Sequence, residues 1–349
     1  MGRARVPAAS ELSISVDIDA RFGHRPAWLP LPSNVSLLWH RFLPAHDKVD
    51  NPSAATTLGV DFVQDWSRAT GKKRDERAVK ELAAAWHGYG VLKWFAAMAD
   101  EVVDPALAEQ AHSRRRAIFD ATGVRQWQVH SFWRAAVGLG NPAAVENSGA
   151  TIHRFYGFPV LPAASLKGVT RHFLVEEVDA ALSTDEPPLV GDARIDWRAL
   201  LNSVHVPNWT RPHDPAVVAS FLFGGTDASS GEGIIAFYDG WAVGSGCFEP
   251  DVLTSHHQAY YTGTGRVASD SDEPNPVHFL TVRPSVAFEL GLGVTESARG
   301  LTDEQRGTAL DAAQRLVTEA IARWGIGGKT GAGYGRMVLP PRTAAVRHP

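Results

Sequence analysis

The chain has 349 residues, 44% of them hydrophobic, with eleven tryptophans and a formal net charge of -4. This is ample for a buried core in one large domain or two, and the acidic balance excludes a protein that coats nucleic acid through overall charge, leaving local basic patches for that work. The single cysteine, Cys247, excludes an internal disulfide or a cysteine-rich zinc site, and no run reaches the roughly 18 apolar residues of a membrane span, so a reducing, cytoplasmic setting is expected.

Residues 1 to about 60 mix proline, serine and short apolar runs without a period, and residues 75 to 122 read as helix interrupted by Pro105. Residues 1–125 are therefore expected to form an irregular, partly helical extension packed on the core, 126–341 the main domain, and 342–349 a tail. In the extension, His46, Asp47 and the basic run Lys72, Lys73, Arg74 form no catalytic arrangement and read as surface. Lys and Arg number 17 against 15 Asp and Glu up to residue 125, and 17 against 23 afterwards. Any grip on nucleic acid in the second part must come from a few placed residues.

From Gln126 the pattern alternates. Trp127, Val129, Trp133, Ala135 and Val137 fall on one face of an expected strand, with Gln126, Gln128, His130 and Arg134 on the other. SLKGVTRHFLVEEVDAAL then predicts a helix capped by Ser165, with Leu166, Val169, Phe173 and Leu174 as its buried stripe. GEGIIAFYDGWAV and HFLTVRPSVAFELGLG read as strands separated by a long hydrophilic loop. Thr302 and Gln305 form a capping box for a last helix that Gly325 ends, and GYGRMVLP reads as a closing strand stopped by Pro340 and Pro341. The order β, α, β, β, α, β predicts an α+β, ferredoxin-like (RRM-like) fold with long inserted loops, two helices on one sheet face and the other face open to a ligand.

The stretch GIGGKTGAGYGRM, Gly325 to Met337, contains GKT but is not a phosphate loop of the ATPase kind. Arg323 stands where the first glycine belongs, and the segment leads out of a helix into a strand, opposite to what a P-loop needs. Glycines there allow close backbone approach and positive φ angles that turn N–H groups toward an anion, with Lys329 and Arg336 adding charge and Tyr334 a stacking surface. On composition alone, a plain connector with ordinary surface cations is the simpler reading. The helix start offers a second anion site, because its first N–H groups are unpaired and Lys167 and Arg171 project from one side. A metal reading would recruit His256, His257, Asp270, Asp272 and His278, but no spacing matches a ligand motif, and a solvated loop is the better account.

Two of these segments resemble motifs of the RAMP superfamily, the repeat-associated proteins of CRISPR systems. HRFYGFPVLPAASLKGVTR, residues 153–171, resembles its proline turn and Ser-Leu-Lys-Gly helix start, and GIGGKTGAGYGRM resembles its glycine-rich loop. More narrowly, residues 126–338, with the DEPNPVHFLTVRP stretch, resemble the sixth-subunit family of Cmr, or type III-B, RNA-guided effector complexes. One departure is Ala163 and Ala164, where the family has a glycine and a small residue. The resemblance implies a non-catalytic subunit that binds CRISPR guide RNA near its 3′ end, beside target RNA and other Cmr subunits, in antiviral defence, without cofactor or metal. The RNA-contacting residues it implies are His153, Arg154, Ser165, Lys167, Gly168 and Arg171 around the turn and helix start. On the glycine-rich loop they are Gly325, Gly327, Gly328, Lys329, Thr330, Gly331, Gly333, Tyr334, Gly335 and Arg336. Two alternatives stay open: a metal-independent endoribonuclease using His153 or His130, and a structural adaptor that touches only protein.

Overall fold

The computed structural model describes residues 92, 95, 96, 99, 105–140, 149–183, 195–207, 214–225, 231–255, 258–261, 263, 267, 268 and 275–340. The expectations for His46, Asp47, Lys72, Lys73, Arg74, His256, His257, Asp270, Asp272 and the tail lie outside the described residues. The chain divides into two units, one of residues 1–105, 139–157 and 245–281 and one of residues 106–138, 158–244 and 282–349. The cut expected at residue 125 is thus displaced to the end of residue 105, and the expected main domain contributes two of its segments to the first unit. The reason is packing: the helix ahead of residue 125 lies on the main sheet.

The labelled elements, in chain order, are α1 (Pro105–Ala121), β1 (Arg125–Ser131), β2 (Val160–Leu161), α2 (Ala163–Phe173), α3 (Pro215–Phe223), β3 (Ile235–Val243), β4 (Phe248–Ser255), β5 (Asn275–Val282), β6 (Ala287–Val294), α4 (Asp303–Arg323) and β7 (Met337–Val338). In the second unit five strands form one sheet in the order β2-β3-β6-β1-β7, every neighbouring pair antiparallel. The capping box of Thr302 and Gln305 starts α4, and Gly325, with φ +78°, follows its end, both as the sequence requires.

Several elements differ from expectation. The first strand ends at Ser131 and the chain bends, so Trp133 is not on the buried face but 46% exposed. The run HFLTVRPSVAFELGLG is two strands, β5 and β6, joined by a turn over Arg283–Val286. The Ser131 hydroxyl clasps that turn, donating to the Arg283 carbonyl at 2.7 Å and accepting from the Val286 N–H at 2.9 Å. The expected hydrophilic loop contains β4, which pairs with β5 in a two-stranded sheet, and a one-turn helix Gln258–Tyr261. In the first unit Leu92, Phe95, Ala96 and Ala99, spaced as one helical face, are all buried, with the Phe95 ring 5.6 Å from that of Phe248.

The sheet of the second unit is covered on both faces. Along β6, Phe288, Leu290 and Leu292 alternate with Glu289, Gly291 and Gly293, and all six are buried. Helices α2 and α4 pack together on one side. The other side, expected to be open, carries α1. There the Glu289 carboxylate meets His112 Nδ1 at 2.7 Å and accepts from Arg116 at 2.8 Å, and the Phe119 ring fills the space that a side chain at Gly291 would need. Phe119 also lies 4.8 Å from the Tyr238 ring, and the Arg115 guanidinium stacks over Phe119 and Trp241.

Burial opposes ionisation of Glu289, but the hydrogen bonds from His112 and Arg116 outweigh it and hold the carboxyl at about 2, against its usual 4.5. A depressed folded value stabilises the fold above pH 4.5, and that contribution is lost as pH falls from 4.5 toward 2. Denaturant titration of Glu289→Ala is therefore expected to show a loss of about 3 kcal/mol at pH 7. Glu289→Gln should flatten the stability profile between pH 5 and pH 2, the range that brackets this titration. An unaltered profile would mean the carboxylate does not hold α1 down.

Candidate nucleic-acid interface

The start of α2 is built differently from the expected serine cap. Pro162 occupies the cap position in an extended conformation with no side-chain cap, the helix begins at Ala163, and Ser165 is an exposed residue of its first turn. The cap comes from another element. In β3 the register to β6 shifts between Tyr238, opposite Gly291, and Trp241, opposite Glu289, so two residues face one. This bulge turns the Asp239 carboxylate to accept the Ala163 N–H at 2.7 Å. A carboxylate already sits at the positive end of α2, which disfavours a phosphate there. Neither Ala163 nor Ala164 has positive φ, so the departure from the family's glycine places no strain on the turn. Lys167 is half-buried and Gly168 exposed with open space around it, while Arg171 Nε donates to the Gly224 carbonyl at 3.4 Å.

The glycine-rich loop is woven into the segment after β1. Gly328 N–H donates to the Ala136 carbonyl at 2.7 Å, Gly335 N–H to that of Arg134 at 2.8 Å, and Phe132 N–H to that of Arg336 at 2.8 Å. Across the loop itself, Ile326 N–H donates to the Gly335 carbonyl at 2.9 Å. These contacts demand glycine at two points. A Cβ on Gly335 would collide with the Ile326 carbonyl oxygen, and one on Gly327 would press on that of Ala136, and both residues have positive φ. The glycines at the loop's base thus serve backbone packing. Its tip is different: Gly331 is exposed with nothing near the place of a side chain, Lys329 adopts φ +59°, and Thr330–Ala332 form a 3₁₀ turn closed by the N–H groups of Ala332, Gly333 and Tyr334. Arg336 is exposed just before β7.

The two segments do meet, but through the wrong end of α2 for the expected pairing. His172 and Phe173 lie against the Trp324 ring at 5.0 and 5.6 Å, and Glu177 bonds Arg323 and the Trp324 indole N–H. Ser165 is eight residues back, about 12 Å along the helix axis. His153 and Arg154 belong to the first unit. There the His153 ring orders its own turn, with Nδ1 3.2 and 3.3 Å from the N–H groups of Phe155 and Tyr156, and Arg154 is exposed. His130, on β1, has Nδ1 3.4 Å from the Ser285 carbonyl. Among the described residues no group of three metal-ligating side chains occurs.

Two large aromatic residues stand exposed beside the loop, one of them Trp133, expected on the buried face of the strand. Phe132 is 66% and Trp133 46% exposed, and the Arg134 guanidinium lies 5.0 Å from the Trp133 ring centre. The signal available in the sequence was three consecutive large residues, FWR, which an alternating pattern cannot bury together.

The family model of the RAMP superfamily matches residues 135–338. The CRISPR system Cmr subunit Cmr6 of Pyrococcus furiosus is 28% identical over an alignment of 233 residues that covers 59% of this chain and only 65% of that protein. Among solved structures, a chain of the type III-B Cmr-beta complex bound to cognate target RNA superposes with a TM-score of 0.52 at 17% identity, over 83% of this chain and 90% of that one, a likeness of fold. The crystal structure of Cmr6 from Pyrococcus furiosus aligns over 62% of this chain and 98% of its own at 23% identity, with a TM-score of 0.38.

The division of the loop into packed base and open tip is measurable. Gly335→Ala should cost at least about 2 kcal/mol, read by thermal or denaturant unfolding, because it combines a left-handed backbone with a collision. Gly331→Ala should change stability by less than about 0.5 kcal/mol.

Proposed function

We propose that this chain, which belongs to the RAMP superfamily, is an RNA-binding subunit of a type III-B Cmr effector complex. It would hold CRISPR guide RNA near the guide's 3′ end, beside target RNA and other Cmr subunits, in antiviral defence. The observation that carries the reading is the loop tip, with Gly331 and Ala332 exposed and Lys329 half-buried beside the exposed Arg336, held against the segment after β1 by backbone hydrogen bonds. Such a tip offers cations to a phosphate chain from a platform that needs no reordering on binding. The strand order β2-β3-β6-β1-β7, with α2 between β1 and β3 and α4 between β6 and β7, supports a ferredoxin-like frame with one added edge strand. The relative of similar sequence is itself a Cmr subunit, and the structural neighbour was solved with target RNA.

The role is one of binding and positioning, without bond cleavage. His153 spends Nδ1 on two backbone N–H groups, which suits a structural histidine. Incubating the protein with repeat RNA in EDTA tests this directly. Specific cleavage that His153→Ala or His130→Ala removes would replace the binding role with an endoribonuclease.

The phosphate contacts have a signature in salt dependence. Lys329→Ala and Arg336→Ala should each weaken RNA binding without altering sequence preference and lower the slope of log K against log salt by about one unit or less. Lys167→Ala should have the smaller effect, because Asp239 sits at its helix end. Unchanged slopes for both loop variants, with no RNA crosslink to residues 325–336 in the assembled complex, would leave a protein-only adaptor.

A further inference from the structure

Exposed large aromatic side chains are costly unless something covers them, and the second unit places two in succession at the edge of the glycine-rich loop. Phe132 and Trp133 follow β1 directly, where the chain bends out of the sheet. The β1–β7 register pairs His130 with Val338 and Ser131 with Met337. Carried one step further, it sets Phe132 opposite Arg336, and the Phe132 N–H to Arg336 carbonyl bond at 2.8 Å holds that step. Directly opposed residues share a face, with Cβ atoms about 5 Å apart. Trp133 has its own guanidinium, that of Arg134, 5.0 Å from the ring centre. Each exposed ring therefore comes with a cation, and the Arg134 main chain is itself bonded to Gly335 of the loop.

We propose that Phe132 and Trp133 are a stacking platform for unpaired bases of the RNA strand whose phosphates meet Lys329 and Arg336. The inference rests on the RNA-binding role proposed above and adds the form of RNA bound at this edge: single-stranded, with its bases turned toward the protein. Ring faces take any base, and the paired guanidiniums neutralise the backbone that carries it. An apolar protein partner would bury the exposed Arg336 guanidinium without supplying an anion, at a cost that RNA avoids. The bends that expose the rings are set by backbone bonds to a loop that is itself rigid, so the platform exists before RNA arrives.

The test uses the full chain with a fluorescent 12-nucleotide single-stranded RNA and the same oligonucleotide annealed to its complement. It adds photocrosslinking of 4-thiouridine RNA in the assembled complex. Trp133→Ala and Phe132→Ala are each expected to weaken single-strand binding about 5- to 150-fold, with the salt slope unchanged. Trp133→Phe should retain most of the affinity, duplex binding should be unaffected, and adducts should map to residues 132–133. Both residues are exposed, so unfolding is not expected, and an unchanged melting temperature verifies it. If the loop variants lower the salt slope while Trp133→Ala and Phe132→Ala bind normally, the platform is overturned and the RNA-binding role survives. If the unaltered chain binds no RNA and the complex gives no adduct in residues 325–336, the role itself fails. Loss of a neighbouring subunit on Trp133→Ala, with RNA affinity intact, would assign the rings to a protein contact and overturn the proposal.

Discussion

The edge proposed to meet RNA depends on a main-chain weave. Residues 132–136 and 326–336 are joined by hydrogen bonds from Phe132, Gly328 and Gly335 to carbonyls of the opposing segment. Such bonds place two backbones closer than side chains allow, and glycine at 327 and 335 is the condition for it. A loop held this way is a rigid mount. What it mounts on one side is the tip with Lys329, and on the other the bend with Phe132, Trp133 and Arg134. The backbone carrying the cations and rings at this edge is therefore fixed, which would lower the ordering cost of the RNA binding proposed above.

A second constraint acts in the middle of the sheet. Glu289 projects from the middle of the sheet into the side covered by α1 and is held ionised there by His112 and Arg116. Without those partners a carboxylate at that depth would be expelled or protonated, and α1 would lose its polar anchor. With them, α1 covers the middle of that sheet face. The RNA contact proposed above accordingly lies at the rim of the sheet, where the loops after β1 and α4 meet.

The bulge in β3 plays a similar excluding part at the other motif. By turning Asp239 onto the first turn of α2, it satisfies a helix end from a distant strand and removes the positive field that made that end attractive for phosphate. The motif at residues 162–171 then reads as a structural junction of strand and helix. The far end of the same helix, through His172 and Phe173 on Trp324, buttresses the start of the glycine-rich loop. What α2 gives this edge is packing support for the loop.

Local chemistry settled what the sequence could reveal by itself. The period of α4, its Thr302–Gln305 box and the glycine after it, the alternation of β1, and the helix-to-strand direction of the glycine-rich segment depend on neighbours a few residues away. So did the resemblance to the RAMP superfamily, which rests on short contiguous motifs. Tertiary structure alone decided the rest, because the deciding partners are remote in the chain. Asp239 lies 76 residues from the Ala163 N–H it caps, Glu289 lies 177 from His112, and Trp133 is exposed because its neighbours bond to residues 335 and 336. A pattern read over a short window has no access to such pairings, and they determine which faces stay open.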